Sequence, residues 1–90
     1  MGLSIKFMPD ALKDLAFWKK SGQVAVQNKI TRLLDDIAVH PYTGIGKPEA
    51  LKGDLSGIWS RRIDDKNRIL YEQDSDVIVI YSMKGHYFDK

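Results

Sequence analysis

The chain has 90 residues with 14 basic and 12 acidic side chains, a formal charge of +2 and a hydrophobic share of 43%, which leaves room for one domain with one modest core and excludes a disordered chain. Cysteine is absent and there are only two histidines, so a disulfide framework and a thiolate zinc site are excluded and a metal centre is not expected. No apolar run approaches membrane-spanning length and no secretory pattern opens the chain, so a cytoplasmic protein with no membrane partner is expected.

The stretch LSIKFM (3–8) alternates apolar and polar side chains, as a half-buried strand does. Pro9 ends it and suits a first helical turn, where its missing N–H is not needed. PDALKDLAFWKK then carries Leu12, Leu15, Ala16 and Trp18 at roughly helical spacing. Asp10 stands at the positive end of the helix dipole, Lys19 and Lys20 at the negative end, and Ser21 and Gly22 supply a stop. In QVAVQNKITRLLDDIAVH, Val26, Ile30, Leu33, Leu34 and Ile37 form one stripe, with Lys29, Arg32, Asp35 and Asp36 largely off it. Pro41 closes this second helix, and the very short joint predicts an antiparallel helical hairpin.

From 41 to 57 the pattern dissolves into PYTGIGKPEALKGDLSG, a long loop rich in Gly, Pro and charge. IWSRRI, NRILYEQ and DVIVIYSM follow, separated by DDK and DSD, and read as three strands of an antiparallel meander. The fold class is therefore α+β: an N-terminal strand, an α-helical hairpin, then a three-stranded meander completing a small sheet, in a single domain over 1–90. The helices should cover one face of the sheet and leave the other available.

Four polar positions fall on the loop, the strands and the tail: Glu49, Arg68, His86 and Tyr87. Singly, each has a bland reading as a solvated carboxylate, an outward strand arginine, a strand-end histidine or a packing tyrosine. Together they supply what RNA cleavage without a metal needs. A carboxylate can take the 2'-hydroxyl proton, a guanidinium can steady the phosphorane, and an imidazole can protonate the departing 5'-oxygen. Lys47, Lys52, Arg61, Arg62 and Lys66 concentrate positive charge in the same part of the chain. Strand alternation sends Arg61 and Arg62 to opposite faces, and Arg62 is the one expected beside Arg68. Such a patch would bind phosphate in a salt-dependent way, and Tyr87 could stack on an unpaired base.

The block GKPE-x-L-K, then L-SG-x-WSRRI, N-R-I-L-Y and a late HY closely resembles the YoeB/Txe branch of the RelE/ParE toxin superfamily, and the opening FMPDALKDLAFW is similar to the start of that branch's first helix. The resemblance implies a RelE-like microbial RNase fold and a bacterial type II toxin. Such a toxin enters the ribosomal A site and cleaves mRNA without metal or other cofactor, and a YefM/Phd-type antitoxin neutralises it; a homodimer is compatible with it. It assigns catalytic roles to Glu49, Arg68, His86 and Tyr87, and RNA or phosphate contacts to Lys47, Lys52 and Arg62. The chain runs on past the HY pair with Phe88, Asp89 and Lys90, and SMKG precedes it where many relatives have cysteine. Two other readings stay open: a ParE-like toxin that binds a topoisomerase and cuts nothing, and a non-catalytic RNA-binding module.

Overall fold

The computed structural model describes residues 2–85. Ser4–Phe7 form strand β1, and Pro9 opens helix α1 (Pro9–Ser21), whose first turn holds Asp10 and whose last turn holds Lys19 and Lys20, before Gly22 caps it in the left-handed region. Helix α2 spans Val24–Val39, with Ile30, Leu33 and Ile37 buried and Val26 and Leu34 packed against the core margin. The inward face of α1 is Ala11, Leu15 and Trp18, not the set expected from Leu12 and Ala16; Leu12 is 53% exposed and Ala16 faces solvent. The indole decides the rotation. Trp18 must bury its rings and still pair its N–H, which donates to the Met83 carbonyl at 2.8 Å.

The remaining strands are β2 (Glu49–Ala50), β3 (Trp59–Arg62), β4 (Arg68–Asp74) and β5 (Val77–Ser82), arranged in the order β1-β5-β4-β3-β2. The antiparallel meander β3–β4–β5 follows the sequence pattern, and β1 closes the sheet by running parallel to β5. The count differs from the expectation by one strand. The 41–57 segment contains β2 and a single 3-10 turn, Gly53–Leu55, because Glu49 pairs with Ser60, Ala50 with Trp59, and Leu51 N–H donates to the Ile58 carbonyl at 2.9 Å. A two-residue exposed strand has no hydrophobic period to reveal it. Its identity comes from its partner.

On the helix side of the sheet, Ile63, Ile69, Tyr71, Ile78 and Ile80 join Ala11, Trp18, Ile30, Leu33, Ile37 and Met83 in one buried cluster. Arg61 lies on the same side and is fully buried. Its guanidinium uses every donor it has. Nε donates to Tyr71 Oη (3.0 Å), Nη1 to Asp36 Oδ2 (2.6 Å) and the Ile45 carbonyl (2.9 Å), and Nη2 to the His40 and Thr43 carbonyls. Tyr71 Oη in turn donates to the Pro41 carbonyl at 2.6 Å, and Ile45 N–H donates to Asp36 Oδ2 at 3.1 Å. One cation, one phenol and one carboxylate thus satisfy the His40, Pro41, Thr43 and Ile45 carbonyls and the Ile45 N–H, in the segment between α2 and β2. Burial pushes the Tyr71 phenol up, partly offset by the Arg61 bond, so it stays protonated as the bond to Pro41 requires. Burial would raise the Asp36 carboxyl, but the Arg61 and Ile45 hydrogen bonds and the Arg61 charge outweigh it and hold the carboxyl below its ordinary 3.8.

Removing the cation leaves these acceptors buried and unpaired, so Arg61→Leu is expected to lose roughly 3–5 kcal/mol of stability by denaturant unfolding. The Asp36 contribution is complete above the ordinary carboxylate value and disappears as pH falls through the lower folded value. Asp36→Asn should therefore be less stable than the parent at pH 7 and show a shallower loss of stability below about pH 4, read from unfolding midpoints across pH.

Candidate active site

The opposite face of β3 and β4 carries Ser60, Arg62, Arg68 and Leu70 by alternation. Arg62 and Arg68 are direct cross-strand partners. Their main-chain N–H groups point away from each other, Arg62 to the Gly46 carbonyl at 2.6 Å and Arg68 to the Gly85 carbonyl at 2.9 Å. This is the non-hydrogen-bonded kind of pair, in which the side chains stand closest, with Cα atoms about 4.5 Å apart. Two cations placed so repel each other and favour an anion between or above them. Among the described residues Arg62 has no ion-pair partner. Glu49 Oε1 lies 3.9 Å from Arg68 Nη1, with the Arg68 side chain only 11% exposed and that of Glu49 55% exposed. The guanidinium is set into the surface and the carboxylate stands beside it in solvent.

The structure thus brings together Glu49, Arg68 and Arg62, which lie far apart in sequence. Lys52 lines a shallow hollow of about 380 Å³ with Glu49, Ala50, Leu51 and Leu55. Lys47 is exposed two residues before Glu49 and has φ 53, in the left-handed region that residues other than glycine rarely occupy. Its neighbour Gly46 cannot be larger: a Cβ there would stand 2.6 Å from a Leu33 methyl and 3.2 Å from the Arg62 carbonyl oxygen. His86 and Tyr87 lie outside the described residues. The described chain ends at Gly85, whose carbonyl accepts the Arg68 N–H and whose own N–H donates to Asn67 Oδ1 at 2.9 Å. Arg61, one of the basic residues crowded into the middle of the sequence, leaves this surface entirely for the core. Further along the open face, Tyr81 Oη donates to Glu72 Oε1 at 2.7 Å; that bond, then burial, pushes the phenol up. Four residues of strand separate Glu72 from Arg68, roughly 13 Å. Among the described residues no group of three His, Cys, Asp or Glu side chains is placed to hold a metal ion, and no helix is long and apolar enough to cross a membrane.

A family model of YoeB-like toxins of bacterial type II toxin-antitoxin systems matches residues 7–87. The chain belongs to this toxin family. A YoeB toxin of Streptomyces coelicolor is 46% identical over 85 residues, covering 94% of this chain and 100% of the relative. The structure of a YoeB/ParE toxin from Agrobacterium tumefaciens superposes with a TM-score of 0.88 at 30% identity, covering 94% of this chain and 100% of that one. A Staphylococcus aureus YoeB, 39% identical, matches over 97% of this chain and 100% of its own both as a dimer (TM-score 0.86) and in a heterotetrameric complex with YefM (TM-score 0.84).

Within this YoeB-like chain the sequence reading passed over the residues that support the site. Asp64 accepts the N–H groups of Lys66 and Asn67 and the Asn67 side-chain amide, a role inside the expected DDK turn that the spacing D-x-x-N could have named. Ser60 gave no such signal. Its Oγ is buried and has no hydrogen-bond partner among the described residues, and the residue stands directly opposite Glu49 across the strands. Relieving the Arg62–Arg68 repulsion with Arg62→Gln should raise stability by about 0.2–1 kcal/mol at low salt. The same change should reduce the stabilisation that added inorganic phosphate gives the parent; thermal unfolding with and without phosphate checks both.

Proposed function

We propose that this type II toxin is a ribosome-dependent endoribonuclease that cuts mRNA in the A site by attack of the 2'-hydroxyl, without a metal. The observation that carries the reading is the exposed carboxylate of Glu49 3.9 Å from the recessed Arg68 guanidinium, next to a directly opposed second arginine. Glu49 takes the proton from the 2'-hydroxyl as its oxygen bonds to phosphorus. Arg68, with Arg62, holds the two non-bridging oxygens as negative charge grows on them. The bond from phosphorus to the 5'-oxygen breaks, and His86 gives that oxygen its proton. The products are a 2',3'-cyclic phosphate and a 5'-hydroxyl. Tyr87 orients the base or the phosphate, and Lys47 and Lys52 contact RNA. The 3.9 Å Glu49–Arg68 pair suits this division of labour, since a phosphate can replace the carboxylate on the guanidinium while Glu49 acts as base.

The reading includes control by a YefM/Phd-type antitoxin and a homodimer, as in the S. aureus relative, and work in the cytoplasm, where ribosomes are. A disordered acidic segment that folds on contact would meet the charge of the Arg62–Arg68 face.

The test is end mapping of a defined message on stalled ribosomes. The parent should leave new ends within the A-site codon, while Glu49→Ala and His86→Gln should each slow cleavage by about 10²–10⁴-fold and still bind ribosomes. New ends formed at the parental rate by both variants would overturn the mechanism, and inhibited gyrase with intact message would replace the enzyme reading altogether.

A further inference from the structure

Residues 83–85 lie beyond the end of β5, yet each of them is held by a side chain or a backbone group from another element. Met83 N–H donates to Asp14 Oδ2 at 2.8 Å, and the Met83 carbonyl accepts the Trp18 indole N–H at 2.8 Å, so two residues one turn apart on α1 grip both backbone polar groups of one residue. The Lys84 ammonium sits 4.2 Å over the ring of Phe17. Gly85 N–H donates to Asn67 Oδ1 and the Gly85 carbonyl accepts Arg68 N–H, each at 2.9 Å. The Asn67 carboxamide cannot flip without losing its purpose, because its nitrogen donates to both carboxylate oxygens of Asp64, at 3.0 and 3.2 Å. The oxygen is thereby kept facing Gly85.

A strand end that only needed to stop would leave these groups to water. Here a buried indole, a carboxylate and an oriented carboxamide bind Met83 and Gly85 from two sides, α1 on one and the β3–β4 turn on the other. We infer that Asp14 and Asn67 are positioning residues that fix residues 83–85, the backbone from which the chain continues to the proposed general acid. The inference rests on the reading of His86 as general acid. Neither side chain touches substrate; each acts through the backbone it holds. The turn carrying Asn67 leads directly into Arg68, whose N–H donates to the Gly85 carbonyl.

The experiment is a double-mutant cycle in single-turnover cleavage on programmed ribosomes, with Asn67→Ala and His86→Gln alone and together, and with Asp14→Ala against Asp14→Asn. Loss of alignment by about an ångström should slow the chemical step by about 10–100-fold for Asn67→Ala and Asp14→Ala, with ribosome affinity unchanged. Asp14→Asn, which keeps an oxygen to accept the Met83 N–H, should restore most of the rate. In the His86→Gln background Asn67→Ala should cost nothing further, because the group it positions is gone. A full additional loss in that background, or parental rates in Asn67→Ala and Asp14→Ala, would overturn the positioning role while leaving the nuclease mechanism standing. Parental cleavage by His86→Gln alone would instead remove the general acid on which the inference depends. Melting temperatures of Asp14→Ala and Asp14→Asn separate misfolding from misplacement: a rate difference between two variants of equal stability belongs to the clamp, and a rate that only tracks melting temperature contradicts it.

Discussion

The structure depends on one buried cation. Arg61 is fully removed from solvent, and each of its five N–H groups finds an acceptor: a phenol, a carboxylate and the carbonyls of His40, Thr43 and Ile45. Taking a guanidinium out of water costs several kcal/mol, so such an arrangement persists only when hydrogen bonds and an opposing charge replace the lost hydration. Asp36 supplies the charge and the loop supplies the remaining acceptors. The exchange is mutual: the guanidinium satisfies the His40, Thr43 and Ile45 carbonyls, and they with Asp36 and Tyr71 replace its hydration.

This cation also controls the geometry of the opposite face. The Arg61 side chain fixes residues 40–45, and the next residue along the strand, Arg62, pairs its main-chain N–H with Gly46. Tyr42 adds a ring contact to Trp59, centroids 4.8 Å apart. From that anchorage the chain bends through residues 43–46, passes Lys47 and Pro48 and enters β2 with Glu49 opposite Ser60, one alternation away from Arg62 and Arg68. A slip of one residue in β2 would send the carboxylate to the wrong face. Neighbouring arginines therefore do different jobs: one organises the loop from inside, while the other joins Arg68 in a repulsive pair outside. The modest overall charge of +2 hides this arrangement. Net charge does not record that one arginine is neutralised in the core and two are opposed on the surface.

Much of this was legible in the chain, for reasons that differ from element to element. Helix α2 and strands β3 to β5 announced themselves because their apolar periods match the faces they bury. The division of Arg61 from Arg62 followed from strand alternation. Glu49 and Arg68 were grouped by the chemistry they could share and by resemblance, because nothing local links a loop carboxylate to a strand arginine. Strand β2 was hidden because two exposed residues carry no period, and the facing of α1 was misread because Trp18 answers to a carbonyl 65 residues away. Asp36 looked like a solvated helix residue, and its role appears only when Arg61 folds against it. In each case the missing information was a tertiary partner.

The central claim is that the Arg61 guanidinium, and not β-pairing alone, holds residues 40–46 and through them the register of β2. Amide hydrogen exchange in Arg61→Lys tests it most directly, since lysine keeps the charge but not the planar set of five donors. Protection at the Ile45, Leu51 and Arg62 amides should fall by orders of magnitude, while Ile78 and Ile80 in the centre of the sheet stay protected. Unchanged protection at Arg62 and Leu51 would contradict the account.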